Sequence, residues 1–328
     1  MRHNRKNTEP LVSVVLPTYD RPEFLRGAVE SVAAQTYGNV ELIVVDDCSP
    51  TPAVESLDGK FGSSLDLRVL RHEENEGANV ARNNGIRAAE GEYVAFLDDD
   101  DRWKPEKVER QVEAFEEASA AIGVVCVGQR FVNENGEFTQ YRMPTTSGRI
   151  AEEVFRGAIL GPFSTVMVRA DVIEGVGLPD ERFRAWQDWE WHVRLAQSCE
   201  YAAIREPLVI RRIGSHGQIS DDFEAWREAA SLYLGKHRSV AAEYGRAVER
   251  QAVAGAYASV ASVALVTGHY RGCVRYSLRA LRHDPLATTC YAYLAIALGG
   301  SRALETVRTI RRTYHRSAER FAWPSISR

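Results

Sequence analysis

Four carboxylates stand side by side at Asp98, Asp99, Asp100 and Asp101. They follow the apolar run Tyr93-Val94-Ala95-Phe96-Leu97 and precede Arg102-Trp103-Lys104-Pro105. Adjacent carboxylates repel, so a fold that gathers them at the end of a buried strand needs positive charge there. A hard divalent cation, Mg2+ or Mn2+, suits carboxylate and phosphate oxygens. Metal and phosphate at the carboxyl end of a strand point to nucleotide chemistry. The plain alternative is an acidic turn before a helix opening at Pro105, with Asp101 as its cap. Two further polar clusters, Thr18-Tyr19-Asp20 and Asp46-Asp47, also follow apolar runs.

The elements that must position these residues are readable from pattern. Val12–Leu16 is a short run rich in β-branched residues and predicts a buried parallel strand, and Val40–Val45, Leu67–Leu70 and Tyr93–Leu97 predict three more strands. Pro22 opens a helix that carries Leu25, Ala28, Val29 and Val32 on one face, Asn79 to Ala89 predicts another, and Pro105 begins a third. Strand alternating with helix predicts an α/β, Rossmann-type three-layer domain with a mainly parallel central sheet. All three polar clusters then fall at the strands' carboxyl ends, where such sheets bind ligands. After Ile122 shorter strands are expected at Gly123–Val127, Phe131-Val132 and Ser164–Val168, with an Asn135-Gly136 hairpin signal. From about Ser220 the chain reads as almost wholly helical. Within it, residues 268–285 resemble the second helix of one tetratricopeptide repeat, fewer than an independent solenoid needs.

Composition narrows the classes. The 328 residues are 45% hydrophobic, which suffices for a large core, and a net charge of −4 advertises no nucleic acid. The five cysteines are scattered and form no CxxC pattern, so free thiols in a reducing cytosol are expected. The basic start Met1–Lys6 is followed by no apolar core, and no stretch has the length to span a bilayer. The expectation is a cytoplasmic protein.

Several stretches then agree in order and spacing. They are Val14–Arg21, Gln35-Thr36-Tyr37, Glu41–Ser49, Asn75-Glu76-Gly77 with Ala81–Ile86, Ala89–Asp101, and Trp103–Lys107. Together they resemble the family 2 glycosyltransferases, which carry the GT-A fold. The resemblance is close over residues 10–110, looser to about 220, and does not cover the C-terminal third. It implies a basic tail over 1–10 and a GT-A domain over 11–220, with donor half 11–121 and acceptor half 122–220. A helical region over 221–328 follows.

The resemblance implies transfer of a sugar from a nucleotide-diphosphate donor to an acceptor hydroxyl, with inversion. Asp100 is then the metal ligand, with Asp98 and Asp99 on the donor's ribose or sugar. Pro17 and Tyr19 fall at the donor, with Tyr19 stacking on the base; Asp47 reads the base, favouring a uridine donor, and Arg82 meets phosphate or base oxygen. Inversion needs a general base, and the matching stretch Trp186–Arg194 supplies Asp188. Relatives carry an acidic residue where this chain has Gln187, and Glu190 is a second candidate for the base. Trp186, Trp189 and Trp191 fit a sugar platform or a packed corner. His216, after Arg211-Arg212, is a candidate donor contact.

The structural alternatives stand beside these roles. Asp46-Asp47 also reads as a strand-to-turn signal, Arg82 as a salt bridge, and Asp188 as a helix cap. Arg308, Arg312, Arg316 and Arg320 form a basic stripe near the C-terminus, suited to an anionic membrane surface or to solvent. The expected partners are a nucleotide sugar and a glycan or lipid-linked acceptor. Two other classes compete. One is a catalytically inactive nucleotide-sugar-binding or scaffolding protein, which Gln187 would suit. The other is a nucleotidyltransferase, disfavoured because Pro17–Arg21 contains no glycine.

Overall fold

A computed structural model describes residues 9–57, 65–158, 160–213 and 222–319, with side chains through residue 303. The chain divides into two compact units, residues 1–214 and 215–328.

The first unit begins with β1 (Val12–Thr18), α1 (Pro22–Ala33), β2 (Val40–Asp46), α2 (Ala53–Leu57), β3 (Asp66–Arg71), α3 (Ala78–Ala88) and β4 (Tyr93–Phe96). β1 pairs parallel with β2 and β4, and β2 with β3. Every residue of β1, β2 and β4 is buried, because helices cover both faces. Val12, Val14 and Leu16 pack with Leu25, Ala28, Val29 and Val32 of α1 on one side. On the other side Ile43 and Val45 pack with Ala81 of α3. Gly85 lets α3 close on the sheet: a Cβ there would lie 2.4 Å from Val15 Cγ1.

Buried Glu41 ties this half together. Its carboxylate accepts hydrogen bonds from Ser13 Oγ, Arg68 and the Glu90 amide, which join β1, β2, β3 and the approach to β4. Neutralised and fully hydrogen-bonded, it is tolerated inside the sheet.

The second half contains β5 (Asp101–Trp103), α4 (Lys107–Glu117), β6 (Ile122–Val132), β7 (Phe138–Arg142), α5 (Ala151–Phe155), β8 (Val166–Arg169), α6 (Ala170–Val176), α7 (Gln187–Ser198) and β9 (Glu200–Arg212). The nine strands form one sheet in the order β3-β2-β1-β4-β8-β6-β9-β5, with β7 on β6. Antiparallel pairs enter here, at β4/β8, β6/β8, β5/β9 and β6/β7. The fold is thus α/β with three layers, parallel in its first half and mixed in its second.

Three expectations change. The two short strands after Ile122 are one strand, β6, which turns into β7 through Gly136 at φ 79°. Strand β9 has no counterpart in the sequence reading. Asp101 does not cap the helix after Pro105, because that helix starts at Lys107 with Glu106 as its N-cap, and Asp101 lies in a strand.

The second unit contains α8 (Phe223–Glu243), α9 (Arg246–Val266), α10 (Tyr270–His283) and α11 (Thr288–Glu319). Ala254, Ala280 and Cys290 form a small core between α9, α10 and α11. Gly268, at φ 80°, ends α9, with the His269 amide bonded back to Ala264 O at 2.8 Å. Gly300 breaks α11 with φ 63°. Among the described residues no helix is long and apolar enough to cross a membrane. His216 and Arg320 lie outside the described residues, and Arg308, Arg312 and Arg316 lie where side chains are not described.

Candidate active site

Parallel pairing brings the three polar clusters to one sheet edge. Thr18 lies opposite Asp46, the Asp47 amide donates to Thr18 O at 2.9 Å, and the Leu97 amide donates to Val15 O at 3.0 Å. The loops after β1, β2 and β4 therefore open side by side. Pro17 is buried inside β1 opposite Val45, just before this edge, whereas Tyr19 beyond it is 46% exposed.

The two aspartates after β2 do different work. Asp46 is fully buried and accepts from the amides of Ser49 and Ala53 and from Arg71. Burial pushes its carboxyl up, but the bonds from Ser49, Ala53 and Arg71 outweigh it and leave the pKa below the usual value. Asp46 is the strand-to-turn residue. Asp47 accepts from the amides of Glu76 and Gly77 at 2.9 and 2.8 Å and meets His72 Nδ1 at 2.8 Å. Asn84 holds the other nitrogen of His72, and Arg87 in turn donates to Asn84 Oδ1. Asp47 thus orders the 72–77 loop beside the crevice.

The aspartate run is held by hydroxyls and guanidiniums. The Asp98 amide donates to Ser164 Oγ at 3.0 Å, and Asp98 Oδ1 accepts from Arg82 at 3.0 Å. Asp99 accepts from Thr18 Oγ1 at 2.8 Å and from Arg21 Nη1 at 3.3 Å. Asp100 lies 3.7 Å from the same Arg21 nitrogen. Asp101 is 1% exposed, stands opposite Arg211 in the β5/β9 ladder, and its Oδ1 has no hydrogen-bond partner.

Arg82 links the two halves of the unit. It is 3% exposed, stacks on Phe163 at 3.9 Å, and donates to Asn79, Asp98 and Gln187, the last at 3.3 Å. Burial lowers its pKa against the pull of Asp98 and Asp188. The expected salt bridge is present, and it sets α7 against the aspartate run. Asp188 lies in the first turn of α7, where its carboxylate accepts from the Trp189 amide.

The neighbours of Asp188 separate cleanly. Glu190 is fully buried and accepts two bonds from Arg194, both at 2.9 Å, so it is a structural ion pair and not a base. Trp191 is also buried, against Phe96 and Phe163, with its indole N–H on Gly177 O, and belongs to the packed corner. Trp186 and Trp189 keep some exposure.

Two residues the sequence reading passed over prove central. From sequence, Arg21 stands only within the motif Val14–Arg21, and Arg211 only as a residue preceding His216. Burial would lower the Arg211 pKa, but Asp101, Asp98, Asp100 and Asp188 together raise it. Backbone strain marks the same place. Asp20, Cys48 and Trp186 are the non-glycine residues at positive φ among the described residues, and all three flank the crevice loops.

The charge does not balance. Asp98, Asp99, Asp100, Asp101 and Asp188 face Arg21, Arg82, Arg102 and Arg211, so among the described residues the carboxylates outnumber the guanidiniums. Burial first, then the adjacent carboxylates, pushes Asp99 to about 6 against the pull of Arg21. The same causes push Asp101 to about 8 against Arg211. A proton relieves this excess, and so would one divalent cation. The hard oxygen donors and the orphaned Asp101 Oδ1 fit Mg2+ or Mn2+. Among the described residues no group of three or more His, Cys, Asp or Glu side chains is placed to hold a metal ion by itself. The remaining ligands would be phosphate oxygens and water, as is usual for such ions at phosphates.

The chain is similar to known proteins in sequence and in fold. Residues 13–175 match the family model "Glycosyl transferase family 2". The chain is 33% identical over 228 residues to the putative teichuronic acid biosynthesis glycosyltransferase TuaG of Bacillus subtilis (strain 168). That match covers 69% of this chain and 88% of TuaG. Its fold is similar to S. aureus TarS 1-349 in complex with UDP-GlcNAc, with TM-score 0.57 at 19% identity, over 86% of this chain and 91% of that one. It is also similar to the mannosyltransferase PcManGT from Pyrobaculum calidifontis in complex with GDP-Man and Mn2+. There the TM-score is 0.54 at 18% identity, over 88% and 86% of the two chains.

Proposed function

The chain belongs to glycosyl transferase family 2, and on that premise we propose an inverting enzyme that moves a sugar from a nucleotide-diphosphate donor to a glycan or lipid-linked acceptor. That it is a glycosyltransferase follows from the family. The direct displacement, the cation and the base are our reading. The observation that carries it is Arg82, which joins Asp98 to Gln187 and so sets the first turn of α7, with Asp188, against the aspartate run.

The residues divide the work by position. Tyr19, exposed beyond β1, offers a face to the base, and Asp47 with its ordered 72–77 loop borders the base and ribose. Pro17 shapes the end of β1 behind them. Asp98 and Asp99 meet the donor's ribose or sugar. Asp100 would hold Mg2+ or Mn2+, which neutralises charge on the departing diphosphate when bound. Asp188 takes the proton from the acceptor hydroxyl, whose oxygen bonds to the anomeric carbon on the face away from the diphosphate as the bond to the diphosphate oxygen breaks, which inverts that carbon. Arg82 and Arg211 lie within electrostatic reach of that carboxylate and help to place it.

A uridine donor and a single addition in surface-glycan assembly complete the proposal, supported by the names of TuaG and of the TarS complex. So does a cytoplasmic site with peripheral contact at the inner membrane face, tested by co-sedimentation with anionic vesicles.

The test is a thermal-shift panel of UDP, GDP, CDP and ADP, each with and without Mn2+ or Mg2+. One nucleotide is expected to raise the melting temperature only with metal. Asp100→Ala should abolish that rise, while Asp188→Ala should keep it and lose transfer. Transfer by Asp188→Ala at the wild-type rate refutes the base assignment. Nucleotide binding without turnover by the wild-type protein would instead favour the inactive, scaffolding alternative.

A further inference from the structure

In the second unit α10 and α11 meet in a short turn, residues 284–287. The Leu286 amide donates to Asp284 Oδ1 at 2.9 Å, the Ala287 amide to Asp284 O at 3.1 Å, and the Tyr291 hydroxyl to Pro285 O at 3.2 Å. These bonds fix the turn, and none of them needs an apolar side chain at position 286. Leu286 is nevertheless 83% exposed at the tip, with Tyr291 52% exposed in the first turn of α11. No charged residue occurs over 285–301.

Positive charge stands beside this tip. Arg282 lies in the last turn of α10, and Leu278, 55% exposed, precedes it by one turn. Arg250 reaches the same end from α9, where its Nε donates to His283 O at 2.7 Å. Both arginines are exposed. The acids at this end are engaged: Asp284 accepts from the Leu286 amide, and Glu249 pairs with Arg238 at 2.7 Å. Burial first, then Arg238, Arg282 and Arg250, lowers the His283 pKa against the pull of Glu249. The field at this end of the helices is therefore positive.

We propose that the α10–α11 turn is a docking tip for an anionic lipid bilayer, with Leu286 entering the headgroup region and Arg250 and Arg282 meeting lipid phosphates. This rests on the peripheral membrane contact proposed above and names its surface, which is distinct from the arginine stripe over 308–320. Shape and charge favour lipid over a protein partner. A leucine projecting from a turn needs a matching hollow on a protein, whereas a bilayer accepts any apolar tip. Arginines beside it gain from the negative surface potential of anionic lipid. One short apolar insertion binds weakly, so the tip needs both signals together.

The test is co-sedimentation of the full chain with vesicles of equimolar phosphatidylcholine and phosphatidylserine. Leu286→Ser should weaken binding about tenfold, and so should Arg250→Gln combined with Arg282→Gln. Leu286→Trp keeps an interfacial apolar group and should stay within about twofold of wild type. All of these positions are exposed, so the melting temperatures should match wild type and exclude unfolding as the cause. If wild type binds and either the Leu286→Ser or the double arginine variant binds as well as it does, the tip is overturned and the membrane contact stands. If wild type does not bind, both readings fall. If sedimentation velocity shows a dimer that Leu286→Ser dissolves, the tip belongs to a second copy of the chain and the proposal is overturned.

Discussion

Asp101→Asn should make the protein more stable, and by an amount that grows with pH. The native carboxyl is pushed up to about 8 from an ordinary 3.8, by burial and then by its acidic neighbours. Between those values the folded chain holds a proton that the unfolded chain releases. Stability therefore falls as pH rises through that window, and the loss levels off above the folded pKa. At pH 7 the single-site shift sets an upper bound of about 4 kcal/mol. Asp99 and Asp101 share one excess of charge, so about half, roughly 2 kcal/mol, is expected for Asp101 alone, and about 1 kcal/mol at pH 5. Asparagine is neutral at every pH and matches the carboxyl in shape, so it removes that penalty. The assay is thermal unfolding of both proteins from pH 5 to 8 in the presence of a chelator. A gain of about 5 °C at pH 7 is expected, with a smaller one at pH 5. A gap that does not widen with pH, or a destabilised variant, would refute the argument that the cluster holds excess negative charge.

The packing sets the remaining outcomes. Glu190→Ala should cost about 3 kcal/mol in urea unfolding, because it leaves the Arg194 guanidinium without its buried partner. Asp188→Ala, two residues away, should change stability by less than about 1 kcal/mol while abolishing transfer. Gly85→Ala should cost about 1–3 kcal/mol, since its methyl would lie 2.4 Å from Val15 Cγ1. Val15→Ala in the same chain should return part of that loss, read from the denaturation midpoint.

The first half of the first unit was legible because its signals are local. A fully buried parallel strand must be an unbroken apolar run, and Val12–Leu16, Val40–Val45 and Tyr93–Leu97 are such runs. Their polar residues follow at the carboxyl ends, so the edge that gathers Asp46, Asp47 and Asp98–Asp101 could be located from order alone. The second half was less legible. β9 spans Glu200–Arg212, with charged residues and Pro207 within it, and its pairing partners lie far away along the chain. No local period announces such a strand.

Residue type and spacing alone determined the fold class and the acidic edge, and the resemblance of the motifs pointed to the family. Only the tertiary structure decided which acids are spent and which are available. Asp46 and Asp47 are neighbours of one type, yet one caps a turn and the other orders a loop. Asp188 and Glu190 sit on one helix, yet Arg194 consumes only the second. Arg21, Arg82 and Arg211 are far apart in sequence and converge on one cluster because strand pairing and burial bring them there. Charge acts through space over a few ångströms, and the distances that set it exist only once the chain has folded.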